Sequence, residues 1–154
     1  MKVRATVLTL AFCLLGAAVC LAADAFVGTW KLNEAKSKIA AGSPKLTTVI
    51  YEVAGDSVKV TVDGTSGDGT AVQDVWTGKF DGKDYPVTGD PNTDTRSYQK
   101  ANDHTLSFSN KKGDKVTLSG RVVVSADGKT RTVTSNGTDS TGKKFTSTAV
   151  YDKQ

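Results

Sequence analysis

Short β-prone segments separated by regularly spaced turn signals constrain the fold of this chain more than any other feature. From Asp24 onward the sequence contains 15 Val and 19 Thr but only four Leu. Val and Thr are stiff at χ1 and favour pleated strands, and a Leu-poor sequence rarely forms amphipathic helices. Asp-Gly and Asn-Gly pairs, which supply the positive φ angles of tight hairpins, recur between these segments. The pattern predicts an all-β domain.

The turn signals divide the chain into ten predicted strands, at residues 26–32, 45–53, 57–63, 70–80, 83–88, 94–100, 104–109, 115–125, 129–136 and 143–152. An open sheet of this size would have two long unpaired edges, which closure into a barrel removes. We therefore predict a single antiparallel up-and-down β-barrel of about 8–10 strands over residues 24–154. The segment 33–42 has helix formers between a capping Asn33 and a terminating Gly42, which predicts one short helix after the first strand.

Two of the predicted strands alternate strictly between apolar and polar residues, so each is expected to bury one face only. In the strand 57–63 the inward positions are predicted to be Val58, Val60 and Val62. In the strand 115–125 the inward positions are predicted to be Val116, Leu118, Gly120, Val122 and Val124. Arg121 falls on the opposite face of this second strand by the same alternation.

Residues 1–23 have the pattern of a cleaved secretory signal peptide. Lys2 and Arg4 precede an apolar run over residues 5–23, and small residues cluster at its end. A transmembrane anchor is an alternative, because about 20 apolar residues can span a bilayer. A lipoprotein signal ending at Cys20 is another. Cleavage after Ala23 or Ala25 predicts a secreted or periplasmic protein with no stable membrane insertion.

Removal of this segment changes the chemistry that is available to the chain. Both cysteines, Cys13 and Cys20, lie within it, so thiolate catalysis, zinc-thiolate sites and disulfides are excluded from the remainder. The remainder has 18 basic and 16 acidic residues, a net charge of +2. It has no block of Lys and Arg that could follow a phosphate backbone, so we predict no nucleic-acid partner.

The two ends of the predicted barrel resemble a known family. The segment 24–32 reads DAFVGTWKL, with a Gly28-x-Trp30 core, and the segment 149–153 reads AVYDK. They resemble the first and last strands of intracellular fatty-acid-binding proteins and of lipocalins, within the calycin superfamily. The chain is also similar to small exported lipocalin-like bacterial proteins of unknown function, which open with the same GTWKLN and AKSK runs. The resemblance implies that the first and last strands are neighbours and that Trp30 closes one end.

Two departures from the fatty-acid-binding proteins bear on the ligand. The segment between Asn33 and Pro44 is too short for that family's two-helix lid. The position two residues before Tyr151, where that family has an arginine for the ligand carboxylate, is Ala149 in this chain. A rough alignment places Arg121 near a second arginine of the family.

Candidate ligand-binding residues are the aromatic and arginine side chains of the predicted strands. Arg96 and Tyr98 are two positions apart and therefore share one face of their strand. The full set of candidates is Trp76, Arg96, Tyr98, Phe108, Arg121, Arg131 and Tyr151. The single histidine, His104, falls in a predicted turn, and the segment 90–94 lacks the Gly and Glu that a calcium loop requires. We predict no metal, no cofactor and no catalytic residue.

These observations predict an exported, monomeric, non-catalytic β-barrel that binds a small hydrophobic or amphipathic molecule. An envelope protein with a structural or interaction role, a packed barrel and no ligand is the alternative. An enzyme is the third reading, and it would require a pair of buried carboxylates in a cleft.

Overall fold

The computed structural model describes residues 24–154 and contains one closed β-barrel of ten antiparallel strands. The predicted signal segment 1–23 lies outside the described residues. The strands are β1 (Gly28–Leu32), β2 (Lys45–Ala54), β3 (Ser57–Thr65), β4 (Ala71–Gly78), β5 (Tyr85–Thr88), β6 (Thr95–Asn102), β7 (Thr105–Lys112), β8 (Lys115–Val124), β9 (Thr130–Thr138) and β10 (Lys144–Lys153). Each predicted strand overlaps one of them, and the predicted up-and-down barrel is confirmed.

The barrel closes because β1 pairs with both β2 and β10. Trp30 lies opposite Val49 of β2 on one side and Lys153 of β10 on the other. Every other strand pairs with its neighbours in sequence, so no long edge remains exposed. The two ladders of β5, with β4 and with β6, are the shortest of the barrel, and each has two residue pairs.

The predicted short helix is reduced to a single 3₁₀ turn, Glu34–Lys36. The side chain of Asn33 caps it by accepting a hydrogen bond from the Lys36 amide at 3.2 Å. Beyond Ser37 the chain forms backbone hydrogen bonds with β10 instead, between Lys38 and Thr148 at 2.7 and 2.9 Å. We call residues 37–44 the strap, because they cross the end of the barrel beside β10. No helix within residues 24–154 is long and apolar enough to cross a membrane.

One end of the barrel, here called the lower end, is filled by aromatic side chains. Phe26 and Trp30 are fully buried there, and the Trp30 indole N–H donates to the Phe26 carbonyl at 2.8 Å. Phe80 lies 6.0 Å from Phe26 and 5.7 Å from Tyr98, ring centroid to ring centroid. The opposite, upper end has the strap and the loops 66–70, 89–94, 113–114 and 139–143.

The alternation predicted for β8 fails at the first of its predicted inward positions, Val116. Val122 and Val124 are buried as predicted, but Val116 is 49% exposed. A β-bulge explains the difference: Leu118 pairs with Asn110, whereas Val116 pairs with the next residue, Lys111. The extra residue in the bulged strand reverses the alternation, so Val116 shares the outer face with Lys111. The prediction that Val116 points into the barrel is therefore wrong.

Candidate functional site

The interior of the barrel contains a cavity of about 70 Å³ above the aromatic lower end. Apolar side chains from several strands form most of its wall, among them Val49, Val62, Val122 and Ala149. Polar side chains enter it at Arg96, Asn110, Arg131 and Tyr151, and Ile39 of the strap forms part of its cover. The cavity therefore combines an apolar wall with two arginines.

A wider recess of about 280 Å³ lies at the upper end, and we call it the mouth. Pro44, Asn110 and Leu118 line both the mouth and the interior cavity, so the two spaces adjoin. The carboxylates of Asp68, Asp90 and Asp139 line the mouth, together with Lys112, Phe145 and short polar side chains. The mouth is thus more polar than the cavity below it.

Arg96 is buried in a complete network of partners. Its two terminal nitrogens donate to both carboxylate oxygens of Asp74, at 2.8 and 3.1 Å. Its Nε donates to the side-chain carbonyl of Asn110 at 2.9 Å. Arg96 is 4% exposed and Asp74 is 2% exposed. This bidentate pair neutralises the charge of Arg96 within the barrel.

Arg131 is equally buried, at 3% exposure, but its polar atoms are not satisfied in the same way. Its Nε and Nη1 are buried and have no hydrogen-bond partner. Among residues 24–154 no carboxylate forms an ion pair with it, whereas Arg96 has Asp74. Buried polar groups of folded proteins are almost always hydrogen-bonded, so two such donors on one side chain require an explanation.

Aromatic rings surround the Arg131 guanidinium. Its central carbon lies 4.4 Å from the ring centroid of Tyr151, 5.3 Å from that of Tyr51 and 5.5 Å from that of Trp30. These are cation–π distances, and such contacts return part of the free energy lost when the charge leaves water. Tyr151 lies directly opposite Arg131 in the β9–β10 ladder.

The phenol of Tyr151 is fixed and stays protonated. Its hydroxyl donates to the Leu46 carbonyl at 3.0 Å. Burial raises the pKa of Tyr151, and the neighbouring Arg131 opposes that rise. Burial likewise raises the pKa of Tyr98. The two phenols are thus neutral polar groups of the cavity wall at ordinary pH.

Five of the seven candidate residues line the interior cavity: Arg96, Tyr98, Phe108, Arg131 and Tyr151. Trp76 does not line the cavity: it is fully buried among the aromatic rings of the lower end, against Phe80 and Tyr98, and its indole N–H donates to the Arg96 carbonyl at 2.8 Å. Arg121 is exposed, as the local alternation indicated, and it lies opposite Ser107 and Thr134 on the outer surface. The alignment that placed Arg121 at a ligand is therefore not supported by its position.

Sequence reasoning missed Asp74 and Asn110. Asp74 alternates in β4 with Val72 and Trp76, both of which are buried. A carboxylate at an inward position between two apolar residues is a signal that could have identified it. Asn110 follows Leu106 and Phe108 at alternate positions of β7, so the same signal, a polar residue in line with inward apolar ones, could have identified it.

The described residues form no cluster of metal-binding side chains. Within residues 24–154 no three His, Cys, Asp or Glu side chains approach closely enough to hold a metal ion. His104 is exposed in the β6–β7 turn, where its backbone amide donates to the Asn102 side chain at 2.9 Å.

The fold and the cavity define a closed ten-stranded up-and-down barrel with one paired and one unpaired arginine inside. No family profile matches the chain, and no curated protein matches it. One similar solved structure is a redesigned β-barrel, mFAP1, bound to DFHBI, with 16% identity and a TM-score of 0.43 over 84% of this chain and 95% of that one. Another is EF1p2_mFAP2b bound to DFHBI, with 13% identity and a TM-score of 0.47 over 86% of this chain and 97% of that one.

Proposed function

We propose that this protein is an exported, non-catalytic barrel that binds a small, partly apolar ligand in its interior, with a hydrogen-bond acceptor of the ligand placed on Arg131. The observation that carries the proposal is the pair of buried, unsatisfied donors on Arg131, a residue that lines the cavity. Among the arginines of the cavity wall, only Arg131 has no carboxylate partner within residues 24–154. A ligand acceptor at this position would satisfy its free hydrogen-bond donors.

The energetics of burial support this role. Holding a charge in the interior without a partner costs several kcal/mol, which cation–π contacts of about 0.5–2 kcal/mol offset only in part. A group that serves stability alone gains nothing from such an arrangement. A group that serves binding gains affinity from it, because the ligand supplies the missing hydrogen bonds in a low-dielectric site.

Features of the sequence support the proposals of export and of a binding role. The pattern of residues 1–23 supports export, and the resemblance of both terminal strands to calycin proteins supports a carrier or binding role. The adjoining mouth offers a path for the ligand, since Pro44, Asn110 and Leu118 border both spaces. We propose that the protein acts as a monomer.

Native mass spectrometry of the protein purified from its own host tests the proposal. We expect a small, non-covalent mass on the wild-type protein, its loss in Arg131→Gln and its retention in the matched surface control Arg121→Gln. Retention of the same mass in Arg131→Gln would exclude Arg131 as its contact. A bare polypeptide mass for the wild type and both variants would overturn ligand binding.

A packed envelope protein without a ligand is the second candidate, and the size of the cavity favours it. The interior space of about 70 Å³ is smaller than the ~300–1,000 Å³ of typical small-molecule sites. The bare polypeptide mass described above is the result that this candidate predicts.

A further inference from the structure

The buried charges of the barrel also constrain the chemical class of the ligand. We infer that the group held by Arg131 is a carboxylate with a single negative charge, carried by a short molecule and not by a long acyl chain. This inference rests on the proposed function, and it adds the charge and the size of the ligand.

The charge follows from the three buried ionisable side chains that carry a full charge. Among residues 24–154, Arg96 and Arg131 are the buried cations, and Asp74 is the buried carboxylate. Asp74 neutralises Arg96, from which it accepts two hydrogen bonds. The interior therefore has one surplus positive charge, at Arg131. One negative charge neutralises it. A neutral ligand leaves the charge unpaired, and a dianion leaves a new unpaired negative charge in a low-dielectric space.

The planar donor geometry of arginine favours a carboxylate. The guanidinium presents its N–H groups in one plane, which matches the two oxygens of a carboxylate. The rings of Tyr51 and Tyr151 lie within 5.3 Å of the Arg131 central carbon and occupy space around the group. A flat anion therefore requires less additional room beside Arg131 than a tetrahedral one.

The size follows from the two adjoining spaces. A cavity of about 70 Å³ has room for only a few water-sized groups, which favours a short carboxylate, and butyrate serves as its probe. A longer hydrocarbon chain would have to continue into the mouth, where Asp68, Asp90 and Asp139 contribute carboxylates. Lys112, the one cation among the described residues of the mouth, already pairs with Asp94, so the three carboxylates would repel a second negative charge on the ligand.

An NMR titration with four probes tests the charge and the size separately. The probes are sodium butyrate, neutral butyramide of nearly the same shape, the dianion succinate, and hexadecanoate. We expect butyrate to shift the backbone amides around Arg131, and butyramide and succinate to bind at least about tenfold more weakly, the cost of one charge-assisted contact. We expect hexadecanoate to bind no more tightly than butyrate.

Variants make the test specific to Arg131. Butyrate affinity should fall at least about tenfold in Arg131→Met and should stay unchanged in Arg121→Met, whose side chain is on the outer surface. The backbone amide NMR spectrum of Arg131→Met should superimpose on that of the wild type away from the site, which would show that the variant is folded.

The outcomes separate this inference from the proposed function. Equal binding of butyramide or succinate overturns the single negative charge, and tighter binding of hexadecanoate overturns the short ligand, while either result leaves a ligand-binding barrel. If no probe binds but a mass co-purifies in an Arg131-dependent way, the inference fails and the proposed function stands. If no probe binds and nothing co-purifies, both fail.

Discussion

The two buried arginines of this barrel have similar exposure and opposite surroundings. Arg96, on β6, has a hydrogen-bond partner for each of its three side-chain nitrogens: Asn110 of β7 for Nε, and Asp74 of β4 for the two terminal nitrogens. Arg131, on β9, is surrounded by aromatic rings and has two buried donors without a partner. By strand order the two groups belong to different walls of one cavity, which both of them line.

The difference separates a structural role from a binding role within one residue type. A paired buried charge contributes to stability mainly because removing one partner leaves the other uncompensated. An unpaired buried charge lowers stability in the free protein and becomes favourable when a ligand arrives. The comparison therefore predicts opposite responses to the same substitution at the two sites.

The largest expected effect is at Asp74. Asp74→Asn keeps the shape of the side chain but removes its charge, which leaves Arg96 as a second uncompensated cation. We expect the free energy of unfolding to fall by about 3–5 kcal/mol in urea denaturation. Asp84→Asn removes a carboxylate from the exposed pair with Lys111 and should cost less than about 1 kcal/mol. A cost at Asp74 no larger than that at Asp84 would contradict the structural role of the Arg96 pair.

A smaller effect is expected at Asn110. Asn110→Ala removes the acceptor of the Arg96 Nε hydrogen bond and leaves the Asp74 pair in place. Arg96 then has one unsatisfied buried donor, so we expect a loss of about 1–3 kcal/mol in the free energy of unfolding. Asn136→Ala, at an exposed position of β9, is the matched control and should cost less than about 0.5 kcal/mol. Equal costs at the two positions would show that the Nε contact contributes nothing.

The smallest effect concerns a charge outside the barrel. Asp68 is fully exposed, and hydrogen bonds from the Ser66 hydroxyl and the Thr70 amide lower its pKa to about 2 from the ordinary 3.8. A lowered pKa in the folded state means that the stabilising contribution is present above about pH 4 and is lost as the pH falls through about 2. Carboxyl NMR titration should give this low value for Asp68, and a titration near pH 4 would show that the turn bonds are absent in solution.

Much of the fold was predictable because it depends on local signals. Asp-Gly turns and Val/Thr-rich segments have local causes, so all ten strands could be located. Val116 was placed on the wrong face because the bulge between Asn110 and Lys111 depends on pairing with a different strand. The helix over 33–42 was shortened because Ser37 and Lys38 bond to β10, a contact that is remote in sequence.

The site was less predictable for the same reason. Arg96, Tyr98, Arg131 and Tyr151 could be named as candidates, because arginine and tyrosine within strands are chemically conspicuous. Which arginine is paired could not be read from the sequence, since Asp74 lies 22 residues from Arg96 and meets it only because β4 and β6 flank the short strand β5. The unsatisfied state of Arg131 is likewise a property of the packed interior.

The central claim is that Arg131, unlike Arg96, is held at a cost to stability for the sake of a ligand. Urea unfolding of Arg131→Met and Arg96→Met in ligand-free buffer tests it most directly, because methionine keeps contacts with aromatic rings in both places. We expect a free energy of unfolding for Arg131→Met equal to or above that of the wild type, and a loss of about 3–5 kcal/mol for Arg96→Met. A comparable loss for Arg131→Met would show that Arg131 is a structural residue and is not held in place for a ligand.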